Sequence, residues 1–347
     1  MSPATLTNAP KMRTLKVLHV GVTNRGKWPL EKCDASTGFA RHALCDVSDA
    51  ALAEARQVTG LSEAACFRDL DRAIAESGAD VMICCAPTML HVPITKKAIA
   101  AKMPMLVEKG MAPTWADAQE LVRATLGANA IVCVAQNYRY NTIERTIRAA
   151  IQDPSHPAHV GEVHLVQYAQ NRVRPIVRTL SYPFASVWDM SCHHFDTLAG
   201  WLGPIASIDA HAWAASWSAY EHDNNTDGHF TFANARAICH YLHTHDAARA
   251  TTEIQVHGAR GALVFDGATL TFNERPLEQF GTRPIVDVPL VEAHGERDVL
   301  RDFHAYVTQG AEPGISARNN LETMAACEMM VRSITLGRTV RRSELDA

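Results

Sequence analysis

The sequence lacks several features that mark other classes of protein. No apolar run reaches the roughly 20 residues that a membrane-spanning helix needs, so no membrane-embedded segment is expected. Residues 1–12 contain no apolar core of a secretory signal, and the nine cysteines include no C-x-x-C pair. We therefore expect a reduced, cytoplasmic protein whose cysteines are small packing residues in apolar strands.

Excess charge and sequence repetition are also missing. The 33 basic and 37 acidic side chains give a formal net charge of -4, which offers no support for a nucleic-acid partner. No internal repeat, low-complexity tract or long run of charge occurs. The chain has 347 residues, of which 47% are hydrophobic, so two domains with sizeable cores are expected.

The most informative stretch that is present covers residues 15–46. An apolar strand runs into a glycine turn, a helix follows, and a second strand ends on Asp46, which lies 20 residues beyond Gly26. This order is typical of a dinucleotide-binding βαβ unit, in which Gly21 permits the tight turn and Gly26 permits close packing of helix on strand. Thr23 stands where the middle glycine of G-x-G-x-x-G is usual. An ordinary buried strand followed by a turn is the alternative interpretation.

The acid at the end of the second strand bears on which dinucleotide binds. A carboxylate at position 46 repels a 2′-phosphate, so NAD is the expected cofactor. NADP is not excluded, because Arg25 and Lys27 in the turn could bind a phosphate.

The pattern of predicted strands and helices changes near Tyr140. Before that point apolar strands alternate with helices, which predicts an N-terminal Rossmann domain with a doubly wound parallel sheet over residues 1–138. After it, alternating stretches predict a C-terminal open, mainly antiparallel sheet domain over residues 139–347. The sequence is thus of the α/β plus α+β class, with a C-terminal helix that could pack back on the first domain.

Five motifs follow one another along the chain: the glycine turn at 21–26, Ala86-Pro87-Thr88-Met89-Leu90-His91, Leu106-Val107-Glu108-Lys109, the segment 189–196 and the tail 321–340. Their order resembles the Gfo/Idh/MocA family of NAD(P)-dependent sugar and inositol oxidoreductases. The resemblance covers nearly the whole chain. Three departures from the family pattern are Thr23, Gly110 in place of the proline of E-K-P, and Ser191 in place of the glycine of D-x-G-x-H.

These motifs contain the three predicted catalytic residues, which are Lys109, Asp189 and His193. Asp189, His193 and Asp196 lie at i, i+4 and i+7, which places them on one face of a helix. His193 suits the acid/base role in alcohol oxidation, with Asp189 fixing its tautomer; a buried structural histidine is the alternative. The resemblance implies that Lys109 stabilises a developing alkoxide, whereas the sequence alone favours a surface lysine paired with Glu108.

A set of cofactor-binding residues and a set of substrate-binding residues complete the predicted site. For two of their members, Asn137 and Arg139, a structural role is an equal alternative to ligand binding. Arg172 and Arg174, with Arg178, suggest an anionic substrate group, against the blander interpretation of a solvated loop or a subunit contact. The cofactor set is Gly21, Thr23, Asn24, Arg25, Gly26, Asp46, Ala86, Pro87, Thr88, His91, Glu108, Lys109 and Asn137, and the substrate set is Lys109, Arg139, Arg172, Arg174, Asp189 and His193.

Histidines and aromatics in the second half invite other interpretations. His243 and His245 share one face of a strand and His240 lies on the other, so no metal site is expected. Trp213, Trp217 and Tyr220 are interpreted as core or oligomer packing, not as a sugar platform.

The sequence therefore predicts an oxidoreductase that moves hydride between NAD(P) and a secondary hydroxyl or keto carbon of a sugar, sugar derivative or inositol. The expected partner is that small molecule, with no nucleic acid and no membrane, in a homodimer or homotetramer. Two alternatives stay open: a relative that retains NAD and cleaves glycosides through transient oxidation, and a non-enzymatic nucleotide-binding regulator. The particular sugar, the reacting hydroxyl and the direction of reaction do not follow from the sequence.

Overall fold

The computed structural model describes residues 13–173, 180–281 and 295–346. These residues divide into two compact units. The first unit comprises residues 13–108, Ala124–Cys133 and Glu296–Pro313. The second comprises Lys109–Arg123, the described residues of Val134–Gly295, and residues 314–346.

Six strands form the first sheet, and they are β1 (Leu15–Val20), β2 (Phe39–Cys45), β3 (Cys66–Phe67), β4 (Val81–Cys84), β5 (Met105–Val107) and β6 (Val132–Val134). They pair in parallel in the order β3-β2-β1-β4-β5-β6. Their residues are almost continuously buried, as expected for a parallel sheet covered on both faces. The predicted Rossmann sheet is confirmed, and β1 and β4 lie side by side where the strand order reverses.

Five helices occur along the same part of the chain: α1 (Lys27–Lys32), α2 (Asp49–Thr59), α3 (Leu70–Glu76), α4 (His91–Ala100) and α5 (Trp115–Gly127). The ends of α2 follow from local chemistry. The Ser48 hydroxyl accepts a hydrogen bond from the Ala51 N–H at 3.3 Å, and Gly60 ends the helix with a φ of 71°. Both ends of α2 are therefore set by residues within or next to the helix.

The second sheet has nine strands in the order β14-β13-β12-β11-β7-β10-β9-β8-β15. Its β10–β7 pair is parallel, and the other pairs are antiparallel, which confirms the mainly antiparallel prediction. In chain order the strands are β7 (Val163–Asn171), β8 (Ile205–Trp213), β9 (Asn225–Phe232), β10 (Ile238–Thr244), β11 (Thr251–Gly258), β12 (Gly261–Phe265), β13 (Leu270–Phe272), β14 (Arg275–Pro276) and β15 (Val340–Arg341).

Four further helices are α6 (Thr142–Gln152), α7 (Cys192–Leu202), α8 (Glu296–Gln309) and α9 (Ala317–Leu336). Helix α8 belongs to the first unit, where the ring of Phe303 stacks on Phe39 with centroids 5.8 Å apart. Helix α7 continues directly from a π-helical turn, Val187–Ser191, and both lie in the second unit. Among the described helices, none combines the length and the apolar character required to cross a bilayer.

Candidate active site

The glycine turn of the first unit is a close contact between three backbone segments. Gly21 follows β1 with a φ of 75°, and its N–H donates to the Cys45 carbonyl at 2.9 Å. A Cβ atom on Gly21 would lie 2.7 Å from the Ala86 nitrogen, and one on Gly26 would overlap the Gly21 carbonyl oxygen. Only glycine therefore fits at either position, and the resulting cradle of backbone suits a pyrophosphate.

The substitution at the middle glycine is accommodated without backbone strain. Thr23 has an extended conformation, with φ at -100°, which any residue adopts. The left-handed conformation falls on the next residue, Asn24, whose φ is 47°. Asparagine tolerates this region better than most side chains. The turn therefore forms without the family's middle glycine.

Asp46 is fixed beside this turn. Its carboxylate accepts hydrogen bonds from the Val22 N–H and the Ser48 N–H, each at 3.0 Å. The acid thus links the glycine turn to the start of α2, at the position where a Rossmann acid binds the adenosine ribose hydroxyls.

Both cations of the turn are paired with carboxylates. The Arg25 guanidinium donates to Glu108 at 3.0 Å and contacts Glu296 at 3.3 Å. The Lys27 ammonium donates to Glu54 at 2.7 Å. Because their charges are already compensated, a cofactor 2′-phosphate would have to compete for them, which favours NAD over NADP.

Two of the predicted cofactor residues hold neighbouring groups in place. Buried Glu108 accepts from the Trp28 indole at 2.7 Å as well as from Arg25. His91, also buried, contacts the Ala86 carbonyl through Nε2 at 2.8 Å and so closes the loop after β4 that contains Pro87 and Thr88.

The second unit contains a buried pair of opposite charge. The Lys109 ammonium donates to the Asp189 carboxylate at 2.7 Å and also to the Asp189 carbonyl oxygen. The Lys109 side chain is only 8% exposed and that of Asp189 17%. The interpretation of Lys109 as a surface lysine paired with Glu108 is therefore wrong. The Lys109–Gly110 peptide bond is cis.

His193 lies in the first turn of α7 and is buried. Its imidazole stacks on the Tyr138 ring, with centroids 4.4 Å apart and planes at 10°. Tyr138 opens the short 3-10 turn Tyr138–Tyr140 that follows β6. Burial raises the pKa of the Tyr138 hydroxyl, while the charges of Arg172 and Lys109 lower it. Because the charge of Lys109 acts on Tyr138, we treat Lys109, Asp189, His193 and Tyr138 as one candidate group and call it the catalytic cluster after its predicted role.

Sequence reasoning missed Tyr138, although it weighed the two residues on either side. Asn137 is buried, and its carbonyl accepts from the Tyr140 N–H at 3.0 Å. The Arg139 guanidinium makes a two-point ion pair with Asp196, at 2.6 and 2.8 Å. This pair favours the structural role of Arg139. The available signal for Tyr138 was an aromatic residue immediately after the last parallel strand.

Arg172 lies directly after β7, beside the catalytic cluster. Its Nη1 contacts the Met190 sulfur at 3.4 Å, and its N–H donates to the Thr244 carbonyl at 2.8 Å. Its charge also acts on the Tyr138 hydroxyl and lowers its pKa. Arg174 and Arg178, predicted to share this surface, lie outside the described residues.

A buried hydroxyl and imidazole network supports this region from the sheet. The Tyr241 hydroxyl donates to Ser191 at 2.7 Å and contacts His194 at 2.8 Å, while Ser191 contacts His243 at 3.2 Å. Ser191, which replaces the family's glycine, thus links α7 to β10. Burial lowers the pKa of His194 to about 3 and that of His245 to about 4, so both are neutral at physiological pH. Within the described residues, no group of three His, Cys, Asp or Glu side chains is arranged to hold a metal ion.

Comparison with known proteins agrees with both units. Residues 15–136 match the oxidoreductase-family model of the NAD-binding Rossmann fold, and residues 159–341 match the C-terminal alpha/beta domain of the same family. An inositol 2-dehydrogenase of Rhizobium meliloti is 26% identical over 92% of this chain and 98% of its own length.

Two solved structures share the fold. An oxidoreductase from Agrobacterium radiobacter, in complex with NAD+, L-tartaric acid and magnesium, has a TM-score of 0.80 at 18% identity, covering 95% of this chain and 99% of its own. The WlbA dehydrogenase from Bordetella pertussis, in complex with NADH and UDP-GlcNAcA, has a TM-score of 0.76 at 19% identity, with the same coverage. The chain belongs to the Gfo/Idh/MocA family of oxidoreductases and contains that family's NAD-binding Rossmann domain.

Proposed function

We propose that the protein transfers hydride between NAD and a secondary hydroxyl or keto carbon of a sugar, a sugar derivative or an inositol. The observation that carries this proposal is the Lys109–Asp189 ion pair, which belongs to the same catalytic cluster as His193. The family to which the chain belongs supports the same interpretation. Support for a polyol substrate comes from the similarity to inositol 2-dehydrogenase over almost the whole chain.

The residues of the catalytic cluster take distinct roles in this proposal. Bound NAD supplies the hydride acceptor. The Lys109 ammonium donates to the substrate oxygen and stabilises the negative charge that develops there. Asp189 holds that ammonium in place, since its carboxylate and carbonyl are both acceptors for it. The His193 imidazole takes the hydroxyl proton, and Tyr138 holds the imidazole plane through the ring stack.

The predicted cofactor-binding residues also take distinct roles in this proposal. Gly21 and Gly26 leave room for the pyrophosphate, and Asp46 binds the adenosine ribose hydroxyls. Ala86, Pro87 and Thr88 follow β4 at the carboxyl edge of the sheet, where parallel sheets bind ligands. The proposal requires the nicotinamide of bound NAD to reach the catalytic cluster.

The test is a substrate screen with each cofactor. Hexoses, inositols and sugar acids are offered with NAD or NADP, and the absorbance of the reduced nicotinamide is followed. We expect reduction with at least one polyol, faster with NAD, and loss of turnover in both Lys109→Ala and His193→Ala. Full turnover in both variants would overturn the assignment of roles, and hydrolysis of a glycoside without net NADH would identify the glycoside-cleaving relative.

We also propose that the protein is a cytoplasmic homodimer or homotetramer. Along β10 the side chains alternate between buried Cys239 and Tyr241 and exposed Ile238 and His240, so one face of the sheet is open. Covering that face would remove Ile238, which is 46% exposed, from water. Sedimentation analysis tests the assembly, and a monomer at all concentrations would contradict it.

A further inference from the structure

Arg172 places a positive charge at the edge of the catalytic cluster, and hydrogen bonds fix its main chain. Its main chain is fixed on two sides, because its N–H donates to Thr244 and its carbonyl accepts from Ala247. Its guanidinium contacts the Met190 sulfur at 3.4 Å, and its charge lowers the pKa of the Tyr138 hydroxyl. Met190 adjoins Asp189 in the π-helical turn, and Tyr138 stacks on His193. The guanidinium therefore lies near residues that adjoin Asp189 and His193.

Among the described residues, no Asp or Glu carboxylate forms an ion pair with Arg172, and its guanidinium contacts the Met190 sulfur. Outside them, the segment 174–179 contains two arginines and no acid, and the segment 282–294 contains Asp287 and Glu292. The Asp189 carboxylate, the acid of the catalytic cluster, already pairs with Lys109.

The other titratable groups near Arg172 in the described residues are neutral imidazoles or acids that accept from other donors. Its charge helps to lower the pKa values of His194, His243 and His245, mainly depressed by burial, so these imidazoles are neutral. The Asp246 carboxylate, which acts on His245, accepts hydrogen bonds from Asn225 at 2.7 Å and Ala215 at 3.3 Å. Burial raises the pKa of Glu144, the remaining acid that acts on Tyr138, to about 7.

A partly buried cation without a counter-ion is costly unless a ligand supplies the opposite charge. A guanidinium presents a planar pair of N–H donors that matches a carboxylate. We propose that the substrate is a hydroxy acid of the sugar series, and that its carboxylate binds Arg172 while its reacting hydroxyl lies between Lys109 and His193. This inference rests on the dehydrogenase function proposed above and names the class of substrate for the same site.

The experiment compares acids with neutral counterparts of the same stereochemistry. With saturating NAD, kcat/KM is measured for D-glucuronate against D-glucose and for D-galacturonate against D-galactose, in the wild type, Arg172→Met and Arg172→Lys. We expect the wild type to prefer the acids by about 10- to 100-fold, the usual effect of a hydrogen bond to a charged group. Arg172→Met loses that preference and Arg172→Lys retains part of it.

Arg123→Met is the matched control, because Arg123 is exposed on α5; it retains the wild-type ratio of acid to neutral kcat/KM. Circular dichroism checks that each variant is folded, and Arg172→Lys carries the comparison if Arg172→Met is not. Neutral sugars oxidised as well as or better than their acids would overturn the inference while leaving the proposed function intact. A preference for acids that persists in Arg172→Met would also overturn it. Failure of every sugar and acid to reduce NAD would instead refute the proposed function, and with it the inference.

Discussion

Replacing Lys109 with methionine keeps the length of the side chain and removes the cation of the catalytic cluster. Lys109 is 8% exposed and is held by two oxygen atoms of Asp189, so its charge is fixed in place before the substrate binds. A preorganised group of this kind is worth roughly 100- to 1000-fold in kcat, or about 2.7–4 kcal/mol of transition-state stabilisation. We expect Lys109→Met to lose kcat by that factor in steady-state assays, with the Kd for NAD changed by less than about twofold.

The same substitution removes the partner of a mostly buried carboxylate, so a loss of stability of about 1–3 kcal/mol is also expected. The double variant Lys109→Met/Asp189→Asn separates the two effects. It also removes the negative charge at position 189 and should recover part of the free energy of unfolding in urea, but none of kcat. Lys97→Met is the surface control, because Lys97 pairs with Asp71 where both side chains are about half exposed. Its effect on stability should stay below about 1 kcal/mol. A kcat within about threefold of wild type in Lys109→Met would refute the role given to Lys109.

Three other substitutions test separate parts of the account. Gly26→Ala places a methyl group against the Gly21 carbonyl and should weaken NAD binding about tenfold or more in a fluorescence titration; unchanged affinity would contradict the proposed cradle. Arg139→Met leaves Asp196, 1% exposed, without its ion pair, and should cost about 3–5 kcal/mol in urea unfolding; a loss below about 1 kcal/mol would contradict a structural role. Burial raises the pKa of Glu144 from 4.5 to about 7, so its contribution to stability is complete below pH 4.5 and is lost as the pH rises through 7. Glu144→Gln should remove that loss, up to about 3 kcal/mol between pH 5 and 8; an unchanged pH dependence would contradict it.

The nucleotide-binding half was predictable because its glycine turn and its acid form a short sequence pattern. Gly26 is required by its contact with the nearby Gly21 carbonyl, whereas Gly21 is required by the backbone at Ala86, far along the chain, and Asp46 follows from the end of a strand. The match to the family's NAD-binding Rossmann domain confirms both the family resemblance and the expectation of NAD. The pairing of Arg25 with Glu108 was not predictable, since 83 positions separate the two residues.

The catalytic cluster depends on contacts that sequence spacing does not encode. An ideal helix places Asp189 one turn before His193, and that spacing suggested a carboxylate–imidazole pair. In the fold, Asp189 lies in a π-helical turn and holds Lys109, which is 80 positions earlier in the chain. Tyr138, the ring that stacks on His193, was missed for the same reason. The roles of these residues stay predictions.

The alternation of side chains along a regular strand predicted correctly on which face of the sheet three histidines lie. It placed His243 and His245 on one face of the sheet and His240 on the other, and the first two are buried while His240 is exposed. The partners of these imidazoles, Tyr241 and Ser191 among them, come from the same strand and from the start of α7. They could not be assigned before the packing of that helix was known.

A crystal structure of the protein with NAD bound would test directly where the cofactor lies with respect to Lys109 and His193. We expect the adenosine ribose hydroxyls to be hydrogen bonded to Asp46, the pyrophosphate to lie on the Gly21–Gly26 turn, and nicotinamide C4 to face the Lys109 ammonium and the His193 imidazole across a space for one substrate. A nicotinamide ring directed away from both side chains, or a dinucleotide bound elsewhere, would contradict this expectation.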